Sequence, residues 1–218
     1  MVKVVKFGGS SLADAQQFRK VKDIIFSDPA RRFVVPSAPG KRFDGDDKVT
    51  DMLYTCQSLA QQGQSFDGVF DRIVQRFVEI ESGLGLSTDI AGHLEKIRSE
   101  IANGATADYA ASRGEYLNGI LLSAYLGFEF IDEKDLVKFD ENGVFLPEYT
   151  NEVCGEALKG KKSAVIPGFY GSMPDGAIKT FSRGGSDISG AIVARSVYAD
   201  VYENWTDVSG FLMADPRI

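Results

Sequence analysis

The segment Arg183-Gly184-Gly185-Ser186-Asp187 places a fixed cation, two glycines and a carboxylate at the predicted start of a helix. A helix N-terminus presents unpaired N–H groups and a partial positive charge, so it attracts anions. The arginine fork can bind a carboxylate or a phosphate at two points. A simple capping turn would account for Ser186 and Asp187, but not for the arginine and the glycine pair before them. We therefore expect this turn to bind a negatively charged small molecule.

A second glycine turn, Lys6-Phe7-Gly8-Gly9-Ser10-Ser11, follows a predicted strand at residues 2–7. Glycine lets the backbone approach an anion closely and tolerates positive φ, while the two serines add hydroxyl donors and Lys6 adds a cation. Alone, this pattern is more typical of a plain strand-to-helix turn, and it is not a Walker A loop. In open α/β sheets, however, ligands bind beyond the carboxyl ends of the strands, where both turns would lie. Together they predict a site for phosphate and a carboxylated small molecule.

Two further segments carry residues that could take part in such a site. Ser112-Arg113-Gly114-Glu115 falls inside a predicted helix, where glycine costs about 1 kcal/mol relative to alanine. The glycine therefore indicates close approach of another group, although Glu115 alone is typical of a solvated helix face. Thr50-Asp51 is first interpreted as a helix cap. The run Asp44-Gly45-Asp46-Asp47 is predicted to be a solvated loop, because it lacks the full twelve-residue calcium pattern.

Composition excludes several classes of protein. The chain has 218 residues, of which 44% are hydrophobic and 25% charged, and this length favours one large domain. A net charge of −7 argues against a nucleic-acid surface. No basic-then-apolar leader and no membrane-length apolar run occur in the sequence. We therefore expect a soluble, cytoplasmic protein with neither nucleic-acid nor membrane partners.

The cysteines and the histidine show no metal-ligand spacing. Cys56 and Cys154 are far apart, and the lone His93 cannot complete a zinc site with them. We interpret the cysteines as two reduced structural thiols and His93 as a surface or packing residue.

The elements that must position these residues begin as a parallel α/β unit. A strand at 2–7, a helix at 14–26 and a strand at 32–35 follow one another, with an irregular loop at 36–47. Residues 48–127 are almost entirely helical in periodicity, with breaks predicted at 62–63, 82–83 and 103–104. This insertion should cover one side of the sheet or form a subunit contact. A helix is also predicted at 186–197, and strands at 128–131, 136–139, 163–167, 178–181 and 201–205.

Five motifs in order give the chain a family resemblance. They are Lys6-Phe-Gly-Gly-Ser-Ser, Ser112-Arg-Gly-Glu115, Arg183-Gly-Gly-Ser-Asp187, Trp205-Thr-Asp-Val and Ala214-Asp-Pro-Arg217. In order and rough spacing, along nearly the whole chain, the sequence closely resembles aspartate kinases. The resemblance implies the amino-acid kinase fold, a three-layer α/β/α sandwich with an open, mainly parallel sheet.

The activity that this resemblance implies is transfer of the γ-phosphoryl group of ATP to the β-carboxylate of L-aspartate. The product, 4-phospho-L-aspartate, opens the synthesis of lysine, threonine, methionine and, in bacteria, diaminopimelate. Mg²⁺ would bridge the ATP phosphates, and no metal ligand is assigned in the protein. No general base is needed, because the attacking carboxylate is already ionised at neutral pH. A homo-oligomer is expected.

The resemblance also implies roles at the phosphoryl group. Lys6, with Gly8, Gly9 and Ser10, would hold and neutralise the group in transfer, and would contact ATP. Asp187 would position the lysine and the substrate near the reaction centre. Ser10 stands where the family commonly has threonine, which keeps the hydroxyl group.

On the substrate side, the resemblance implies that Arg183 pairs with the α-carboxylate and Glu115 with the ammonium group of aspartate. Ser37, Thr50 and Ser186 would help to bind and orient the substrate. The residues implied along the nucleotide are Thr206, Asp207, Asp215 and Arg217. Leu212 stands where the family usually has an aromatic residue beside the nucleotide.

Aspartate kinases continue past Asp-Pro-Arg into a segment with another phosphate-contacting lysine, and then into paired regulatory modules. Residues 1–218 are therefore expected to be a catalytic domain truncated at its C-terminal end, without regulatory modules. Two alternatives stay open. One is a different amino-acid kinase, such as a glutamate or acetylglutamate kinase, although Arg183 with Glu115 favours an acceptor bearing a free ammonium group. The other is a non-catalytic fragment that binds aspartate or nucleotide, or that serves in oligomerisation.

Overall fold

A five-stranded parallel sheet forms the centre of the molecule. The structure is a computed structural model and describes residues 1–182 and 184–206. The strands are β1 (Lys3–Phe7), β2 (Arg31–Pro36), β3 (Glu129–Phe130), β4 (Ala164–Val165), β5 (Tyr170–Ser172), β6 (Ile178–Thr180) and β7 (Val201–Trp205). The sheet order is β3-β4-β2-β1-β7, and every pair in it is parallel, while β5 and β6 form a separate antiparallel pair. The predicted parallel sheet is confirmed.

Helices cover both faces of this sheet. They are α1 (Ala15–Phe26), α2 (Val49–Gln61), α3 (Asp67–Leu84), α4 (Ile90–Ala102), α5 (Ala107–Leu126), α6 (Glu133–Leu136), α7 (Pro147–Leu158) and α8 (Gly185–Ser196). Side chains alternate along a strand, so Val5 packs into a core shared with α1 to α5, whereas Val4 packs with α7 and α8. Two cores on one sheet make a three-layer α/β/α sandwich, as expected.

The long helical segment is divided at three glycines with positive φ. Gly63, Gly85 and Gly104 have φ values of 67°, 67° and 88°, which suit the residue that ends a helix. The break predicted at 82–83 is wrong by two residues. Gly83 instead lies inside α3. A Cβ at this position would lie 2.8 Å from the Cβ of Ala15, so glycine is needed here for the packing of α3 against α1. The segment covers one face of the sheet through α5.

The predicted strand at 136–139 is wrong. Leu136 ends the short helix α6, and only isolated bridges form at Lys138 and Phe139. The cause is local: the Asp132 carboxylate accepts a hydrogen bond from the backbone of Lys134 at 3.2 Å and starts a helical turn. The strand at residues 178–181 exists as β6, but it pairs with β5 outside the main sheet. Neither α7 nor β5 was predicted.

The acidic loop is less solvated than its sequence indicates. Asp46 is buried, and its Oδ2 lies 2.7 Å from Nη2 of Arg76 and 2.9 Å from Nε of Arg42. Hydrogen bonding to Arg42 holds the pKa of the Asp46 carboxyl well below its usual range. The prediction of a solvated run fails here because α3 brings a buried arginine under the loop.

Both cysteines are free and buried. Burial raises the pKa of the Cys56 and Cys154 thiols to about 11, so both stay protonated at neutral pH. This agrees with two structural thiols. Within the described residues, no helix combines the length and the apolar character needed to cross a bilayer.

Candidate active site

A cleft of about 480 Å³ opens at the carboxyl ends of β1 and β2. Such a volume suits a small organic ligand. Its walls come from the turn after β1, the loop after β2, the start of α2, the middle of α5 and the residue after β7. The lining residues are Lys6, Gly8, Gly9, Ser10, Ser37, Ala38, Pro39, Gly40, Lys41, Lys48, Thr50, Glu115 and Thr206. The structure therefore gathers most of the predicted site residues into one cleft.

Lys6 connects this cleft to α8. Its ammonium lies 2.7 Å from Oδ1 of Asp187 in the first turn of α8. Asn204 donates a hydrogen bond to the same oxygen at 3.2 Å, because the parallel register sets Asn204 beside Lys6 on the neighbouring strand. Tyr202 donates its hydroxyl to the backbone oxygen of Asp187, also at 3.2 Å. Strand β7 thus holds Asp187 where it can orient the lysine.

The two loops at the floor of the cleft are pressed together at glycines. Gly40 donates its N–H to the Gly9 carbonyl at 2.8 Å. A Cβ on Gly9 would lie 2.8 Å from the carbonyl oxygen of Ala38, so no larger residue fits without moving the loop. Gly8 has a φ of −69°, and neither Gly8 nor Gly9 has positive φ. Close approach, rather than positive φ, is what this turn requires of glycine.

The second glycine turn does use a left-handed residue. Gly184 caps α8 with a φ of 59°, and a Cβ on Gly185 would lie 2.4 Å from the ring of Phe169. Ser186 is buried beside Gly168 and is not among the residues that line the cleft. The start of α8 is therefore fixed closely against the segment before β5.

Glu115 is buried in the wall of the cleft, so the simple expectation of a solvated glutamate is wrong. Burial raises the pKa of its carboxyl to about 8, although a backbone hydrogen bond from Ala38 partly opposes this. Its Oε2 is fully occluded and has no hydrogen-bond partner among the described residues. A buried acceptor without a partner is costly, and a cationic ligand group would satisfy it.

Gly114 explains how α5 comes so near. A Cβ at this position would lie 2.8 Å from the Cβ of Ala38, so glycine lets the helix contact the loop after β2. The close approach predicted from this glycine is confirmed. Asn118, one turn further along α5, donates a hydrogen bond to the Ser37 carbonyl at 2.6 Å and holds the same loop.

Two cleft lysines have no motif to mark them. Lys41 and Lys48 are exposed in the cleft, and with Lys6 they give it a positive character in a protein of net charge −7. Lys48, not Thr50, occupies the N-cap position of α2. Thr50 therefore contributes to the cleft wall and is not a cap. Sequence reasoning missed both lysines and Asn204, since only the fold brings them to the site.

The remaining predicted residues lie outside the described part of the chain. These are Arg183, Asp207, Asp215 and Arg217. Thr206, which ends the described part, lines the cleft beside the turn after β1.

A parallel three-layer sandwich with a positive, glycine-floored cleft at its strand ends defines the class of open α/β proteins, whose ligands bind beyond the carboxyl ends of the strands. Within that class, the chain belongs to the amino acid kinase family, whose model matches residues 1–218.

Known proteins similar to this chain include several aspartate kinases. Aspartokinase 3 of Bacillus subtilis is 38% identical over 99% of this chain and 50% of its own length. The crystal structure of Clostridium acetobutylicum aspartate kinase is 56% identical, with a TM-score of 0.94, over 100% of this chain and 50% of that one. Escherichia coli aspartokinase III in complex with aspartate and ADP is 26% identical, with a TM-score of 0.86, over 100% of this chain and 52% of that one. The chain thus spans about half the length of these relatives.

Proposed function

We propose that residues 1–218 are the catalytic domain of an enzyme that transfers the γ-phosphoryl group of ATP to the β-carboxylate of L-aspartate. The observation that carries this proposal is the pairing of two groups in one cleft. Glu115 offers a buried carboxylate oxygen without a partner, and Lys6 offers a cation held by Asp187 beside the glycine turn. The first suits an ammonium group and the second a phosphoryl group. The similarity to aspartate kinases, one of them bound to aspartate and ADP, supports the same assignment.

In the proposed mechanism, the protein holds the amino acid by its α-ammonium and α-carboxylate groups. Glu115 binds the α-ammonium, Arg183 binds the α-carboxylate, and Ser37 and Thr50 in the cleft wall help to orient the molecule. Ser186, expected to bind substrate, is buried beside Gly168 outside the cleft lining, and we propose that it acts by fixing the start of α8. These contacts direct the β-carboxylate toward the phosphoryl group. Holding both reactants in line supplies much of the rate enhancement, since an already ionised carboxylate needs no base.

The phosphoryl transfer itself depends on charge stabilisation. A β-carboxylate oxygen forms a bond to the γ-phosphorus, the bond from that phosphorus to the bridging oxygen breaks, and ADP departs with the electron pair. Lys6 neutralises charge on the transferring oxygens, and the backbone of Gly8, Gly9 and Ser10 faces them. Asp187, fixed by Asn204, keeps the lysine at this point.

The nucleotide would extend from the glycine turn past the end of β7, along Thr206, Asp207, Asp215 and Arg217. We propose that Mg²⁺ arrives with ATP. Mg²⁺ in nucleotide sites is held mainly by substrate phosphates and water, so it needs no site built from protein side chains alone. When bound, the ion would neutralise charge on the ATP phosphates.

The proposal extends to the biological setting. Its product, 4-phospho-L-aspartate, would feed the synthesis of lysine, threonine, methionine and, in bacteria, diaminopimelate. The enzyme would work in the cytoplasm, where ATP is supplied, and as a homo-oligomer.

An acceptor comparison tests the proposed function. ADP release is followed with aspartate, glutamate, N-acetylglutamate and carbamate, and hydroxylamine traps any acyl phosphate as its hydroxamate. We expect turnover and hydroxamate with aspartate alone. N-acetylglutamate should fail because an acetylated amine cannot pair with Glu115, and glutamate because its longer side chain carries the reacting carboxylate out of line with the γ-phosphoryl group. Preferential phosphorylation of another acceptor would refute the proposal. Calorimetry with aspartate and with ADP separates binding without turnover from absence of binding.

A further inference from the structure

A second cavity, of about 380 Å³, lies on the other side of α5. Its walls come from α4, α5, the start of α6 and the turn before β6. The residues important here are His93, Lys96, Tyr109, Arg113, Tyr116 and Lys134. None of them is used by the proposed phosphotransfer reaction.

Arg113 is the unusual member of this cavity. Arg113 is only 6% exposed. Its guanidinium carbon lies 4.8, 4.6 and 5.1 Å from the ring centres of Tyr109, Tyr116 and Tyr170, respectively. Nε and Nη2 both donate to the hydroxyl of the adjacent Ser112, at 3.0 and 2.9 Å. Stacking on three rings positions the charge but provides no anion.

Arg113 also forms no ion pair with any carboxylate that the structure describes. Arg76, which is 3% exposed, shows the usual arrangement, because Asp46 lies 2.7 Å from it. Buried charges are normally paired in this way. Nη1 of Arg113 donates to no described acceptor, although the cavity reaches this residue.

The two cavities use opposite sides of one helix. Arg113 and Glu115 are two residues apart, which is a rotation of about 200° around an α-helix. Glu115 accordingly lines the phosphotransfer cleft and Arg113 the second cavity, while Gly114 between them packs on Ala38. The second cavity is therefore a distinct site and not an extension of the first.

We propose that this cavity binds a small organic carboxylate with an apolar or aromatic body. The guanidinium fork of Arg113 would take the carboxylate at two points, and Lys96 and Lys134 at the exposed rim would attract it. Ile97, Ile178 and the faces of Tyr109 and Tyr116 supply the surface for the apolar part.

The two acidic residues that line the cavity, Glu100 and Asp132, form no described ion pair with Arg113, and the Glu100 side chain is exposed. Asp132 accepts the hydroxyl of Tyr170 at 2.7 Å and lies 3.8 Å from the ammonium of Lys134. His93 lies 3.3 Å from the Tyr116 hydroxyl, within hydrogen-bond distance, and so fixes one aromatic wall. Among the described residues, the cavity thus presents a positioned guanidinium to which no carboxylate is paired.

Benzoate, its neutral analogue benzamide and inorganic phosphate are suitable probes of this site. We expect calorimetry to show saturable benzoate binding and at least about tenfold weaker binding of benzamide, which lacks the charge. Ring resonances of Tyr109 and Tyr116 should shift with benzoate in NMR spectra, which locates the site. Binding of phosphate but not benzoate, or equal binding of benzoate and benzamide, would overturn the proposal.

Variants separate this site from the phosphotransfer cleft. Arg113→Lys keeps the charge but loses the fork, so benzoate affinity should fall about tenfold, whereas Lys48→Ala in the cleft should leave it unchanged. If Arg113→Lys fails to fold, judged by circular dichroism, the exposed double change Lys96→Ala with Lys134→Ala should still weaken benzoate severalfold. Undiminished affinity in whichever variant is folded, or loss of binding in Lys48→Ala, would contradict the assignment.

Discussion

The ammonium of Lys6 and the carboxylate of Asp187 meet at 2.7 Å, although the two residues are far apart in the sequence. Lys6 is on the central strand and Asp187 is in the first turn of α8, so the ion pair joins the sheet to the anion-binding end of a helix. Asp187 is half-exposed, and the pair is therefore accessible to a ligand in the cleft. Lys6 itself is buried, so Asp187 supplies its counter-charge and fixes its ammonium at the mouth of the cleft, which favours a positioning role for this contact.

Replacing Lys6 should abolish most phosphoryl transfer. In Lys6→Met, kcat for aspartate-dependent ADP release should fall about 100-fold or more, because one stabiliser of the transition-state charge is lost. Lys3→Met on the same strand is the matched control. Lys3 pairs with Asp28 and Glu203, away from the cleft, so its removal should leave kcat within about twofold. Equal losses in both variants would mean that Lys6 acts only through the stability of the strand.

Aspartate affinity should increase with pH. In the free protein, burial raises the Glu115 pKa to about 8, so the carboxyl is largely protonated at pH 7. Binding the ammonium group of aspartate requires the ionised Glu115 carboxylate. The protein therefore releases a proton when aspartate binds. Below pH 8, the association constant should rise about tenfold per pH unit. Calorimetry in buffers of different ionisation enthalpy measures this proton directly.

The variant Glu115→Gln is the control for that measurement. It removes the titrating group, so aspartate binding should weaken and lose its dependence on pH between 6 and 8. The sign for folding is opposite to that for binding. The Glu115 carboxyl holds its proton more tightly in the folded protein than in the unfolded chain. The ligand-free protein therefore loses stability as pH rises from the pKa of Glu115 in the unfolded chain toward its folded pKa of about 8. A wild-type affinity that does not change with pH would contradict the role given to Glu115.

Adding one methyl group at Gly114 should disturb the loop beside it. Alanine favours a helix by about 1 kcal/mol over glycine, but its Cβ would be 2.8 Å from that of Ala38. We expect Gly114→Ala to lower the free energy of unfolding by about 1–3 kcal/mol in urea titrations, and to weaken aspartate binding. Gly68→Ala, in α3 with nothing within 4 Å of its added Cβ, should be neutral or stabilising. Similar behaviour of the two variants would contradict the packing argument.

The buried carboxylate of Asp46 should matter more than its exposed neighbour. Asp46→Asn leaves Arg76 buried without its counter-charge, and should reduce the free energy of unfolding by about 3 kcal/mol or more. Asp44→Asn, which changes an exposed side chain in the same loop, should have little effect. Urea titrations of both variants make the comparison.

Asp46 also predicts an acid dependence. Its pKa is lower in the folded protein than in the unfolded chain, so its contribution is complete above the unfolded value of about 4 and is lost as pH falls below that value. The stability of Asp46→Asn should decline less over this acid range. Parallel decline in both proteins would show that other carboxyl groups dominate.

Local signals in the sequence were sufficient for the elements that carry the site. The strand before Gly8 and the helix that begins at Gly185 were predicted correctly, because each depends on hydrophobic periodicity and on glycine next to an element end. The predicted strand at 136–139 failed where a local Asp132 cap competed with the apolar pattern. The helix break predicted at Gly83 failed for a different reason, because this glycine allows close contact with Ala15 and does not end the helix.

In the candidate site, some residues are marked by a local sequence motif, whereas others are brought there only by the fold. The ordered motifs predicted Lys6, Glu115 and Asp187, because each stands in a short segment whose combination of glycine and charged residues is uncommon. Asn204 and Asn118 carry no such mark. Their importance comes from strand register and from the approach of α5, both of which join residues far apart in the chain.

The sequence by itself determined the kind of chemistry: a lysine beside a glycine turn, a glutamate after a helix glycine, and a glycine pair opening a helix. It did so because residue type and spacing settle which groups a short segment can present. Tertiary structure alone decided that Glu115 is buried with an unpaired oxygen, that Asp187 reaches Lys6, and that Arg113 faces a second cavity. Burial, and with it the pKa and the partner of a charge, depends on packing between distant segments, which no local pattern contains.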